Sequence, residues 1–333
     1  MRTSRRLTHI VFLLFALLAM AASALAADPG VAYPAGAEVS DQKAGSVLFY
    51  NIYTSAASGG TTQNTRINVT NTNVTSGAVV HLFFVNSADC SIADSYICLT
   101  AAQTATFLAS DIDPGVKGYI IGVVTDSGGC PINFNYLIGD EYVKFASGHV
   151  ANLGAEAFSA IAANPADCTG DSFTAVLQFN GTNYNRLPRT LAAANIPSRA
   201  DGNDTMIIVN RIGGNLATGA STTGTLFGNL YDDAENGASF QLTGACQIMG
   251  SLSNTFPRSV PPFERFIPAG RSGWLKVTSL NDIGLSGALI NFNPNVSSQA
   301  NAFSGGHNLH KLTLTQTDTS TTWLTVPIFP ANC

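Results

Sequence analysis

Charged side chains are scarce: Asp, Glu, Lys and Arg make up 11% of the 333 residues, against roughly 25% in an ordinary soluble domain. The balance is acidic, 16 Lys and Arg against 21 Asp and Glu. A phosphate backbone needs a basic face, so a nucleic-acid partner is disfavoured. No long apolar run occurs beyond the N-terminus, so no transmembrane segment is expected. The G-x-S-x-G elbow, H-E-x-x-H, the Walker loop, the dinucleotide fingerprint and a complete EF-hand series are all missing. No catalytic residue, cofactor or metal is therefore expected from motifs.

What is present begins with an address. Arg2, Arg5 and Arg6 precede the uncharged run Ile10–Ala22, and Ala24-Leu25-Ala26 forms a small-x-small site. Residues 1–26 read as a secretory signal peptide, and 27–44 as an extended segment with Pro29 and Pro34. Cleavage would leave 13 basic side chains (16 − 3) against 21 acidic ones, a net charge of −8. A secreted or cell-surface bacterial protein is expected, with the periplasm as an alternative.

All six cysteines lie beyond that segment, and none has the two-residue spacing of a zinc or redox motif. An even count in an exported chain favours disulfides. Sequence order suggests Cys90–Cys98, Cys130–Cys168 and Cys246–Cys333.

Short segments rich in β-branched and aromatic residues, separated by Gly, Pro and Asp turns, predict an all-β fold of antiparallel sandwiches, Ig-like or jelly-roll-like. Five matches suggest an internal duplication. Val47–Tyr53 faces Met206–Ile212, Gly77–Leu82 faces Gly237–Leu242, and Gly115–Ile120 faces Gly270–Leu275. "INFN" recurs at Ile132–Asn135 and Ile290–Asn293, and Phe145–His149 faces Phe303–His307. The expected division is a sandwich over 45–179, a linker over 180–204 and a second sandwich over 205–333. The Ala-rich Asn152–Ala163, stopped by Pro165, predicts one short helix near the end of the first. Thr174–Phe179 and Thr321–Phe329 would close the two units, Pro327 marking an edge.

Candidate ligand residues are few. His149 and His307 each follow a Gly, and His310 lies three residues beyond His307. An imidazole there would serve as metal ligand or acid–base group, or simply hydrogen-bond at a turn; if His307–His310 is a strand, the two rings should diverge. Asp111 with Asp113, and Asp232 and Asp233 with Glu235, offer oxygens for Ca²⁺ or an acid–base pair, or are solvated turns. Tyr119 and Trp274 match across the repeat, as sugar-stacking platforms or as core aromatics.

The function expected is a non-enzymatic structural or interaction protein of the cell surface, an appendage or matrix. Its partners would be copies of itself or other surface proteins. With few lysines to guard edge strands, a second copy could add a strand, from Asp28–Lys43 or Trp323–Phe329. The alternatives are a glycan-binding module, with or without Ca²⁺, and a secreted hydrolase. A flat face bearing exposed aromatics would favour glycans, and a deep pocket joining His149 or His307 to a carboxylate would favour hydrolysis.

Overall fold

The computed structural model describes residues 42–57, 61–168, 173–297, 302–312 and 318–332. Its regular structure is nearly all strand, and the described residues group as one compact unit. The first sandwich uses β1 (Val47–Thr54), β2 (Asn64–Asn71), β3 (Ala78–Asn86), β4 (Ile92–Leu99) and β5 (Thr104–Leu108). It is completed by β6 (Lys117–Thr125), β7 (Leu137–Lys144), β8 (Val150–Gly154) and β9 (Glu156–Phe158). Two antiparallel sheets result, in the orders β4-β3-β6-β1-β9 and β5-β2-β7-β8.

Next come β10 (Thr174–Gln178), β11 (Leu187–Pro188), β12 (Thr190–Pro197), β13 (Asp204–Ile212), β14 (Gly214–Asn215) and β15 (Gly219–Ala220). After them lie β16 (Gly224–Asp232), β17 (Gly237–Gly244), β18 (Gln247–Ser251), β19 (Ser272–Thr278) and β20 (Gly284–Phe292). The last are β21 (Gly305–Asn308), β22 (His310–Lys311), β23 (Thr319–Ser320) and β24 (Trp323–Pro327). The second sandwich pairs β17-β16-β19-β12-β22 with β18-β13-β20-β21. Its orders repeat those of the first when β1, β2, β3 and β6 are replaced by β12, β13, β16 and β19, and the others likewise.

That order revises the sequence matches. Gly115–Ile120 and Gly270–Leu275 lead into β6 and β19, which hold the same place in their sheets. Their shared glycines have a common cause: a Cβ on Gly118 would meet the Val85 carbonyl of β3, and one on Gly273 the Tyr231 carbonyl of β16. The segments Phe145–His149 and Phe303–His307 also agree, linking β7 to β8 and leading into β21. The other three do not. Ile132–Asn135 lies between β6 and β7, whereas Ile290–Phe292 belongs to β20. β1 and β13 occupy different sheets, and β3 is internal where β17 is an edge.

Two element assignments are also corrected. Asn152–Ala163 is not a helix but largely β8 and β9, paired to β7 and β1. Alternation wins over Ala propensity there, because Ala151, Leu153, Ala155 and Ala157 are buried against neighbouring sheets. Helix among the described residues is one turn at Phe263–Phe266 and two 3-10 turns. The expected linker 180–204 contains β12, a full member of the second sandwich.

A third sheet, β10-β24-β14-β15, lies on the outer face of the first five-stranded sheet. Leu177, Leu324 and Val326 pack there with Phe49, Phe83, Val85, Tyr119 and Ile121. Strand β1 is consequently buried along its whole length. β24 is not an edge, since β10 and β14 pair with it on either side and Pro327 sits at its end. It is not free to be donated, and most of Asp28–Lys43 falls outside the described residues.

The sandwiches meet in a further apolar cluster, with Ile52, Val143 and Leu153 on one side and Met206, Ile208, Ala288 and Ile290 on the other. Beside it runs a buried polar seam. Asn51 Nδ2 donates to Asn308 Oδ1 at 2.8 Å, Asn210 Nδ2 donates to the Asn51 carbonyl at 2.8 Å, and Gln247 Nε2 donates to Asn210 Oδ1 at 2.8 Å. Lys311 Nζ is 3.2 Å from the buried Glu156 carboxylate.

One disulfide joins the halves as well. Cys130 bonds Cys168, as expected, but Cys90 bonds Cys246. That excludes Cys90–Cys98 and Cys246–Cys333. Cys98 is disulfide-bonded too, and Cys333 lies outside the described residues. Sequence proximity misleads because the disulfide sets the β3–β4 turn against the β17–β18 turn in space, and β15 also contacts it, Ala220 N donating to the Cys90 carbonyl. Among the described residues no helix is long and apolar enough to cross a membrane.

Candidate functional site

His149 and His307 hydrogen-bond within the fold, while His310 is exposed. His149 is buried, with Nε2 2.8 Å from the Asp204 carbonyl and Nδ1 2.9 Å from Ser147 Oγ. A carbonyl only accepts, so Nε2 carries the proton and Nδ1 accepts from the serine. Both ring nitrogens are used in pinning β13 to the turn before β8. His307 Nδ1 lies 2.8 Å from the Asn308 carbonyl. Its ring does not diverge from that of His310; the centroids are 5.5 Å apart at 29°.

The acidic clusters act as turn locks. Asp113 accepts from the Tyr53 hydroxyl at 2.5 Å, and Asp111 Oδ2 accepts from Leu108 N at 3.0 Å. Asp232 accepts from the backbone N–H groups of Ala234 and Asn236 and from the Asn236 amide, all at 2.9 Å. Those bonds hold its carboxyl below the ordinary carboxylate range. Asp233 pairs with Arg271. No group of three His, Cys, Asp or Glu suited to a metal ion occurs among the described residues.

Glu141 is a buried carboxyl that sequence inspection passes over. The β1–β6 register breaks between Tyr50 and Tyr53, and a bulge leaves backbone N–H groups without a ladder partner. Glu141 Oε1 accepts from one of them, Ile52 N, at 3.3 Å. Burial raises its pKa well above the ordinary value. The folded state therefore keeps a proton that the unfolded chain releases above its own pKa, and stability falls as pH rises from there. Glu141→Gln mimics the protonated form. Melting at pH 5 and pH 8 should show a smaller decline for E141Q than for the native chain. The difference in slope is at most about 1.4 kcal/mol per pH unit for one proton. Parallel declines would show that Glu141 is ionised in the fold.

The two matched aromatics part company. Tyr119 is fully buried beneath the third sheet, its ring 5.1 Å from Phe49. Trp274 is 37% exposed on the outer face of β17-β16-β19-β12-β22, on which no further sheet lies among the described residues. Opposite it on β16 stands Tyr231, stacked at 4.2 Å and 15°. Register shows the change position by position. Tyr119, Ile121 and Val123 of β6 face Val85, Phe83 and His81 of β3. Trp274, Lys276 and Thr278 of β19 face Tyr231, Asn229 and Phe227 of β16. Ser239, Gln241 and Thr243 extend this face along β17, all exposed. One face is written for burial and the other for water. Tyr231, a key part of the second, had no signal of its own, because its role depends on cross-strand register.

A cavity of about 330 Å³ at the rim of this face is lined by Asn195, Pro197, Asp233, Arg271 and Ser272, and two further concave sites lie elsewhere. A groove of about 1010 Å³ runs between Thr174, Val176 and Gln178 of β10 and the Cys130–Cys168 disulfide. A cavity of about 370 Å³ includes Asp94, Thr218 and Phe329. Asp94 Oδ2 is 2.8 Å from Nε2 of the buried His81, whose pKa is lowered by burial. Tyr96 stacks on that ring and its hydroxyl donates to the Phe329 carbonyl at 2.9 Å, so the group clamps the C-terminal arm. Neither space is lined by His149, His307 or His310. No family model, curated protein or solved structure matches the chain.

Proposed function

We propose that the chain is an exported, non-enzymatic interaction protein of the cell surface, an appendage or matrix, and that it works through the outer face of β17-β16-β19-β12-β22. The observation that carries this reading is the contrast between matched sheets. The third sheet buries one outer face, while its counterpart is left bare among the described residues, with a stacked Tyr231–Trp274 pair towards one end of its middle strands. Export is supported by the N-terminal segment and by the disulfides, one of which ties the halves together. The shared strand order supports an origin by tandem duplication, after which one copy kept its face open.

The test is retention on cells of the source organism, using the chain expressed with its own N-terminal segment and labelled after purification. The Tyr231→Ala/Trp274→Ala protein should lose retention at least tenfold while its melting temperature stays near that of the native chain. Trp323→Ala, on another sheet, should leave retention unchanged. Equal retention of all three proteins, or none by the native chain, would overturn the proposal.

A further inference from the structure

We infer that the ligand of this face is a neutral glycan chain, with one pyranose ring lying on the open side of Trp274; the inference rests on the reading just given. The stacking with Tyr231 uses one side of the indole. Because β19 lies between β16 and β12, the other side turns towards β12. There the register breaks between Ala193 and Ile196, and the bulge presents Ala194 and Asn195, both exposed. Asn195 has φ +52°, a left-handed conformation that Asn tolerates better than most residues. The side chains there are small at Ala192 and Ala194, and Trp274 keeps 37% of its surface exposed. On the far side Tyr231 is confined by Gly237, where a Cβ would meet its ring at 3.2 Å. The platform is thus held in place before any ligand arrives, which reduces the ordering needed on binding.

The surroundings select the ligand chemistry. Asn229, whose Nδ2 donates to Ser239 Oγ at 3.2 Å, lies in the next row of the sheet with Lys276. Gln241 and the Thr225–Thr243 hydroxyl pair lie beyond. Amides and hydroxyls both give and accept hydrogen bonds, as a ligand rimmed with hydroxyls requires. A pyranose combines that rim with an apolar C–H surface that fits an aromatic plane. The rivals fit less well. An added peptide strand needs a sheet edge, and this is a sheet face. A protein partner is favoured by a broad apolar patch, whereas apolar area here is limited to a few rings among polar residues. A polyanion needs several cations. Lys276 is the only Lys or Arg on these rows, and Arg271 at the rim is paired with Asp233.

The experiment uses a Trp323→Phe background, so that Trp274 is the one indole reporting. Soluble xylan and glucomannan, insoluble cellulose and chitin, and dextran sulfate as the anionic arm are titrated against this protein. In parallel, its retention is measured on source cells before and after periodate oxidation, which destroys vicinal diols of surface glycans. Expected are a Trp274 fluorescence change with at least one neutral polysaccharide, insensitive to salt, and loss of retention on oxidised cells. Trp274→Ala should weaken binding at least tenfold, Trp274→Tyr less, and Asn229→Ala a few-fold. Retention that depends on Trp274 yet survives oxidation would overturn the glycan assignment and leave the face as the working surface. Binding confined to dextran sulfate and abolished by salt would also overturn it. Retention indifferent to Trp274 would remove the face as well.

Discussion

Replacing Cys90 and Cys246 together by Ala is expected to lower the unfolding free energy by about 4–5 kcal/mol. The bond spans 156 residues of sequence, with Cα atoms 5.2 Å apart. In the chain-entropy description, closing a loop of that length restricts the unfolded ensemble by about 5 kcal/mol. The value is reduced slightly because Cys130–Cys168 already shortens the loop from within. Both cysteines are buried, and they connect the β3–β4 turn of one sandwich to the β17–β18 turn of the other. The bond therefore acts on the joint between halves rather than inside one of them. Denaturation in guanidinium, followed by far-UV circular dichroism, reads the effect directly. A loss below about 1 kcal/mol would mean that the unfolded halves stay associated without it.

Ile208→Ala should cost about 3 kcal/mol and should do so for the whole body at once. Ile208 is fully buried in the cluster where the sandwiches meet, between Met249 and Ala288 in register. Truncating a buried Ile loses its transfer free energy and leaves a cavity, typically 2–5 kcal/mol. The neighbours on the facing side, including Ile52, Val143 and Leu153, belong to the first sandwich. If the seam couples the halves, calorimetry of I208A shows one transition moved to lower temperature. Two separated transitions, with only one displaced, would show that each sandwich melts alone.

These residues also mark how far the sequence could be read. Strands such as β2 and β6 announce themselves through β-branched residues and alternation, and both lie where Thr65–Asn71 and Tyr119–Thr125 suggest. β8, β9 and β12 are hidden by alanines, which local propensity assigns to helix or loop. Their assignment depends on the strands beside them. The seam left a clue in Asn51 and Asn210, single polar residues inside apolar runs, yet their hydrogen-bond partners lie up to 257 residues away. Pairing the cysteines needed the same long-range information. At the site, Trp274 was visible because its Gly-x-x-Gly-Trp context repeats the Gly-x-x-Gly-Tyr of Tyr119. Its exposure was not, because no local pattern says which of two sheets of the same strand order receives a third layer. The histidines and acidic pairs drew attention through residue type alone, and the hydrogen bonds of His149 and of the acidic pairs show them holding turns.

The central claim is that the bare face, not the β10 groove or an edge, meets the partner. The two tryptophans stand on different sheets, Trp274 at 37% and Trp323 at 61% exposure, and make hydroxyl-radical footprinting of the cell-bound native chain a direct test. The predicted result is that Trp274 and Tyr231 become protected on binding while Trp323 and Phe173 stay as reactive as in the free protein. Protection of Trp323, with Trp274 left fully reactive, would contradict the account.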